Sequence, residues 1–336
     1  MSGLIRPWQL PAKFEMKSAE VINRLLANFG VALVRRSTLS RLSNDAAKSM
    51  YLPATDDSLV ELKEISRNNL ISVENKIDEL RKELLRQQIS MKWDVVDYME
   101  RLVGESVKTE ICPLCGYHGL AEEFSVLEAQ CIFGGGRLKR HQCPKCDVIF
   151  GANKMLELTE AELTQDYESH YKIFQEGDST EQEVRAFRLL NPTKNGVYLN
   201  YGAGGWSKSV QVLRGQGWNV FAFEPHDSAA SNLDYLIKSK SDLLKMRYDG
   251  VFSNNVLEHL RYPVEELSFM KKILKEGGRM SHATPCFEYL YEYTRFHLYF
   301  YLGRSRSLLA EMANLVVSDF VVDNEFMCAL YEIDNS

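Results

Sequence analysis

Between Pro53 and Gly104 this chain has neither proline nor glycine, so nothing in that stretch interrupts a helix. Nowhere is there an apolar run long enough to cross a bilayer, and no transmembrane segment is expected. The opening MSGLIRPWQLPAKFEMKS lacks the apolar core and small-residue cleavage site of a secretory signal. Positive charge is not in excess either. Lys and Arg number 40 against 46 Asp and Glu, a formal net charge of −6, which argues against nucleic acid as the main partner. These absences place the protein in the cytoplasm.

What is present divides into four stretches: an N-terminal helical segment (1–54), a long helix (55–104), a cysteine-bearing segment (105–160) and a larger region (161–336). At 336 residues and 45% hydrophobic, the chain can bury more than one core. In the first stretch AEVINRLLANFGVALVRR reads as an amphipathic helix, packed on its own protein in preference to a weak peripheral membrane contact. In the second, Leu70, Val73, Ile77, Leu80, Leu84 and Met91 keep steps of three and four that only Gln87 breaks. A seam that narrow predicts a partner helix. A second copy of the chain would supply it, giving a homo-oligomer through residues 59–102, as would the first segment folded back.

Four of the seven cysteines fall in two C-x-x-C pairs, Cys112/Cys115 in ICPLCGYHG and Cys143/Cys146 in RHQCPKCDVIFG. Two such knuckles present four thiolates, which satisfies the tetrahedral preference of Zn²⁺ and leaves no position for water or substrate. A structural zinc ribbon is expected, with His118 or His141 as substitutes should one cysteine not ligate. Cys131, Cys286 and Cys328 read as plain buried residues.

From about residue 195, β-rich runs alternate with helical ones, which predicts an α/β fold: a doubly wound parallel sheet with helices on both faces. Strands are expected at GVYLNY, WNVFAFE, DGVFSNN and RMSHATP, and helices at 206–214, DSAASNLDYLIKS and VEELSFMKKILK, the last ended by Gly277 and Gly278. The tail VVSDFVVDNEFMCALYEI reads as an antiparallel hairpin at the sheet edge. Gly202, Gly204 and Gly205 lie between the first strand and its helix, where missing side chains let backbone approach a ligand closely. Glu224 ends the second strand, placed to accept hydrogen bonds from ribose hydroxyls.

NYGAGGWSKSVQVLRGQGWNVFAFEP together with YDGVFSNNVLEHLRYPVEELSFMKKILKEGGRMSHATP resembles the class I S-adenosylmethionine-dependent methyltransferases over roughly residues 165–335. With the upstream zinc ribbon, the chain is similar to a bacterial subgroup acting on sugars or other small metabolites in surface-polysaccharide or natural-product assembly. The resemblance implies a Rossmann-like sheet and S-adenosylmethionine as cofactor. Asn200, Gly202, Ala203 and Gly204 would lie by its methionine portion, Glu224 by the ribose, Ser241 and Asp242 near the adenine, and Asn255 to His259 beside the methyl group. Two departures stand out: the family usually carries an acid where Asn200 stands, and a Gly205-Trp206 pair replaces or displaces its third glycine.

Methyl transfer to a hydroxyl needs alignment of the acceptor and removal of its proton, for which a neutral histidine is suited. His297, in TRFHLYFY, and His259, after Glu258, are the candidates, with His297 slightly preferred. Tyr289, Tyr291, Tyr293, Tyr299 and Tyr301 would form an acceptor pocket or, more often for so dense a cluster, core or lid. The expected partner is a small-molecule or glycan acceptor. The alternatives are a zinc-ribbon RNA methyltransferase and a non-catalytic scaffold that keeps the fold.

Overall fold

The computed structural model describes residues 56–103, 109–174, 177–204, 207–225 and 233–334. The N-terminal amphipathic helix, Gly205 and Trp206 lie outside the described residues. The chain divides into two units, Met1–Asn75 and Lys76–Ser336. In the first, the described residues belong to the N-terminal part of helix α1 (Asp56–Val103), where Leu70 and Val73 are exposed.

In the second unit, α1 carries an apolar face that the heptad reading passed over. Ile89 and Trp93 are buried, and Leu85 and Val96 pack against the same core, at steps of three and four. The predicted seam residues Ile77, Leu80, Leu84 and Met91 are exposed. The cysteine segment follows as a two-stranded ladder, β1 (Thr109–Ile111) with β2 (His118–Leu120), and then three antiparallel strands, β3 (Ser125–Gln130), β4 (Arg137–Gln142) and β5 (Ile149–Gly151). A short helix α2 (Asn153–Leu156) and α3 (Glu160–Tyr171) lead onward. A reciprocal capping box starts α3: Glu162 N–H donates to Thr159 Oγ1, and the Glu162 carboxylate accepts from Thr159 N–H.

The larger sheet comprises β6 (Val197–Tyr201), β7 (Asn219–Phe223), β8 (Leu236–Ile237), β9 (Tyr248–Asn254), β10 (Leu274–Ala283), β12 (Leu315–Asp323) and β13 (Phe326–Ile333). Its spatial order is β12-β13-β10-β9-β6-β7-β8. The five strands β10, β9, β6, β7 and β8 are parallel, and β12 and β13 form the expected antiparallel edge hairpin, turning at Asn324 with φ of 55°. Helices α4 (Thr180–Leu189), α5 (Ser209–Gly215), α6 (Lys240–Leu243), α7 (Pro263–Ile273) and α8 (Ser305–Met312) complete the layers. Strand order reverses beside β6, so the carboxyl ends of β6 and β9 border the crevice in which such sheets bind ligands.

Three expectations need correction. The helix read through DSAASNLDYLIKS does not extend over its described part: Leu236–Ile237 is a strand at the sheet edge, pairing parallel with β7 through Ala222 and Phe223. Gly277 and Gly278 do not terminate α7. That helix ends at Ile273, and the glycines sit in β10 where its register against β9 shifts. The helix read from 206 is a helix only over Ser209–Gly215 among the described residues.

Sequence also suggested a boundary between residues 160 and 161, yet one sheet runs across it. Strand β11 (Tyr299–Phe300) pairs antiparallel with β5, and one buried cluster contains Trp93, Phe150, Leu257 and Tyr331. Two guanidinium groups lock this junction. Arg140, wholly buried, donates from Nη1 to Glu292 O at 2.6 Å and from Nη2 to Thr294 O at 2.7 Å and His297 O at 3.3 Å. Arg295, also wholly buried, donates from Nε to Asp166 Oδ2 at 2.6 Å and from Nη1 to Phe133 O at 3.1 Å.

Asp166 is buried between Arg295 and Lys92, the latter 3.2 Å away and partly in water. Removing one partner of a buried pair strands the other charge, so Asp166→Ala should cost about 3–5 kcal/mol in urea denaturation. Lys92→Ala should cost under about 1 kcal/mol, because that side of the contact is solvated. Equal losses for the two variants would contradict this assignment.

Candidate functional site

Backbone geometry explains why glycine stands at position 202. Its φ is +71°, and an added Cβ would lie 2.7 Å from Val256 Cγ2, so the turn after β6 and the loop after β9 approach closely only without a side chain. Gly202 N and Ala203 N both donate to Phe223 O, at 2.9 and 3.1 Å, tying the turn to the end of β7. At Gly204 φ is +63° and the space beside it is open. Its N–H donates to Glu224 Oε2 at 2.9 Å, so the predicted glycine turn and acid meet across one hydrogen bond.

The remaining candidates around the crevice differ in how they are engaged. Asn200, wholly buried on β6, donates from Nδ2 to Glu183 and to Ser209 Oγ. Ser241 and Asp242 lie on α6, just past the carboxyl end of β8 and therefore on the same sheet edge as Glu224. Both are exposed: Ser241 Oγ is 2.9 Å from Ser239 Oγ, and Asp242 accepts from Ser239 and Lys245, which hold its carboxyl below the usual range. Asn255, exposed with φ of 55°, follows β9 and donates from its backbone to Ala283 O.

His259 and His297 come together although 38 positions separate them, with ring centroids 4.9 Å apart and edge to face. His259 lies on a single 3₁₀ turn, Leu257–His259, and its Nδ1 is 3.1 Å from Phe296 O. A carbonyl only accepts, so in the neutral ring Nδ1 carries the proton and Nε2 the lone pair. His297 is buried, 3.3 Å from Cys286 Sγ through Nδ1, and burial pushes it well below the ordinary histidine range. Leu298 N donates to Glu258 O at 2.8 Å, which aligns the two histidine segments.

Helix α3 supplies residues that sequence reading did not single out. The Tyr167 ring lies 5.8 Å from His259 and 4.8 Å from Phe296, and the Tyr171 hydroxyl is 2.8 Å from that of Tyr167. Their i, i+4 spacing was the available signal, but neither falls within the motif segments that carried the resemblance. Of the five tyrosines proposed for an acceptor pocket, Tyr299 and Tyr301 are core: their hydroxyls donate to Arg261 O and Leu257 O.

The four knuckle cysteines converge. Cys112 Sγ and Cys146 Sγ are 3.7 Å apart, Cys115 Sγ and Cys143 Sγ 3.6 Å, and all four lie within 4.8 Å of one another. Four thiolates about 2.3 Å from one Zn²⁺ span tetrahedral edges of roughly 3.8 Å, so the donor set fits that ion. The knuckles share a fold: Gly116 N donates to Cys112 O, Asp147 N donates to Cys143 O, and both Gly116 and Asp147 have φ of 69°. Neither His118 nor His141 belongs to the cluster; His118 is exposed and His141 faces Glu110.

Among solved structures, the chain is similar to the 1,6-didemethyltoxoflavin-N1-methyltransferase of Burkholderia thailandensis, at 15% identity and TM-score 0.42, covering 62% of this chain and 98% of that one. It is also similar to the CcbJ methyltransferase from Streptomyces caelestis, at 13% identity and TM-score 0.37, covering 48% and 94%. The match to CalO1, a methyltransferase in calicheamicin biosynthesis, has 13% identity and TM-score 0.37, covering 52% of this chain and 58% of that one. Similarity at this level does not extend to substrate. No curated protein matches. Residues 179–319 match the family described as a methyltransferase domain, a span that runs from α4 through most of β12 and includes both halves of the crevice.

Proposed function

We propose that this chain transfers a methyl group from S-adenosylmethionine to a sugar, glycan or other small metabolite. One observation carries the reading: the Gly204 N–H meets the Glu224 carboxylate beside open space, at the point where the strand order reverses. Gly202, Ala203 and Gly204 would run along the methionine end, Glu224 would take the ribose hydroxyls, Ser241 and Asp242 would border the adenine, and Asn255 the methyl group. When bound, the cofactor supplies a methyl group already activated by a sulfonium leaving group. The protein's part is positioning, exclusion of water and a destination for the acceptor's proton.

We propose His259 as that destination. Its Nδ1–H is committed to Phe296 O, which leaves Nε2 to accept a proton. His297, preferred from sequence, is too desolvated to gain charge readily and serves as the wall behind His259. Tyr167, half-buried on α3 with its ring 5.8 Å from that of His259, would offer the acceptor an aromatic face beside the proposed base. Zn²⁺ would sit among Cys112, Cys115, Cys143 and Cys146 as a structural ion with no open position. The exposed apolar residues of α1 support a homo-oligomer through residues 59–102, and we place the soluble chain in the cytoplasm; among the described residues no helix is long and apolar enough to cross a membrane.

S-adenosylhomocysteine should raise the thermal midpoint, corresponding to about 2.7 kcal/mol at a hundred times its Kd. Glu224→Ala should weaken its binding about ten- to hundredfold, the worth of hydrogen bonds to a charged group. Unaltered affinity in that variant would refute the placement of the ribose.

With an acceptor identified from a panel of sugars and small metabolites, His259→Ala should lower turnover by about 10²–10⁴ while leaving S-adenosylhomocysteine affinity within threefold. A larger loss from His297→Ala, with folding preserved, would reverse the two roles.

Elemental analysis should find one zinc per chain, and Cys143→Ser should lower that content and the thermal midpoint together. A metal-free preparation as stable as the loaded one would remove the structural role.

A further inference from the structure

The family acid absent at position 200 has a counterpart close by. Glu183, on α4, is buried at 3% exposure. Its Oε1 accepts from Ser179 Oγ at 2.5 Å; its Oε2 accepts from Ser207 Oγ at 2.8 Å, Ser209 Oγ at 2.5 Å and Asn200 Nδ2. All four donors are neutral, and among the described residues no Lys, Arg or His lies within salt-bridge distance of this carboxylate. Burial pushes its carboxyl above the ordinary range against the four hydrogen bonds, so the folded protein carries an unrelieved cost for this charge.

Asn200 supplies a second, independent sign of a missing partner. Its Nδ2 hydrogens go to Glu183 and Ser209, which fixes the amide's orientation, while its Oδ1 is buried and, among the described residues, without a hydrogen-bond partner. Asn200 is two residues before Gly202, at the carboxyl end of β6. An anion held only by neutral donors, joined to an acceptor with nothing to accept from, is complementary to a cation rich in N–H donors.

Resting on the cofactor reading above, we propose that Glu183 supplies the negative charge that receives the ammonium group of the cofactor's methionine portion, acting through Asn200, whose Oδ1 accepts from it. The charge has moved from the strand to the neighbouring helix, and Asn200 bridges the displacement. Glu183 is a positioning residue in this scheme: it orients the amide and sets the sign of the field.

Calorimetry on the full chain with two probes separates this from a structural role. S-adenosylhomocysteine carries the ammonium; 5′-methylthioadenosine keeps the nucleoside and thioether without it. Glu183→Gln should weaken the first about tenfold or more and leave the second within threefold. Glu183→Asp, which keeps the charge, and the double variant Glu183→Gln with Asn200→Asp, which returns it to the strand, should both recover most of the affinity. These two also carry the test should Glu183→Gln not fold. Equal weakening of both probes, unchanged affinity for S-adenosylhomocysteine, or no recovery in the charge-bearing variants would overturn the proposal. Wild-type protein that binds neither probe would overturn the cofactor reading itself, and this inference with it.

Discussion

Two wholly buried guanidinium groups hold the segment 292–297, and the candidate site depends on that constraint. Arg140 reaches from β4 to the carbonyls of Glu292, Thr294 and His297, and Arg295 reaches back to Asp166 on α3. A guanidinium has five N–H donors in a fixed plane, so it can fix several carbonyls at once where a lysine could fix fewer and less directionally. With Phe296 O held in place, His259 has a defined acceptor for Nδ1 and therefore a defined tautomer. The histidine on one loop thus owes its orientation to an arginine on the upstream sheet.

This coupling gives the cysteine knuckles a purpose beyond closing a small ladder. Cys112, Cys143 and Cys146 belong to the same buried cluster as Phe150, Leu257 and Tyr299. The upstream strands are too short to support a core of their own, and they gain one by sharing it with the parallel sheet. In return β5 pairs with β11, and the chain between Cys286 and Phe300 is clamped at both ends. The four converging sulfurs are in this way connected, through packing and hydrogen bonds, to the segment that carries His297.

Features written in short-range pattern were legible in the sequence. The strand–turn–strand arrangement around Gly202 and Glu224, the four cysteines, the long helix and the edge hairpin all follow from spacing within a few residues. What escaped was long-range. Leu85, Ile89, Trp93 and Val96 form a second apolar face on α1, and a helix with two such faces offers whichever seam is the more regular to a reader of periodicity. The Leu236–Ile237 strand is two residues long, below what alternation can reveal. The pairing of β5 with β11 joins segments some 150 positions apart, and no local propensity encodes it. Tyr167 faces His259 only because α3 packs under that same junction.

Asn200 shows how a position read by itself can mislead. Sequence alone registers a lost carboxylate, which implies a weakened electrostatic partner for a cationic ligand. In space the amide donates to Glu183, so a carboxylate stands one hydrogen bond from the position where the resemblance leads one to expect an acid. A carboxylate on the strand would have stood against Glu183, two like charges in a dry pocket, and one of them would have been protonated. Amide and carboxylate together keep a single charge, give it a donor and leave one acceptor over. The amide at 200 and the acid at 183 are therefore one hydrogen-bonded unit, distributed over β6 and α4, and each is read correctly only with the other.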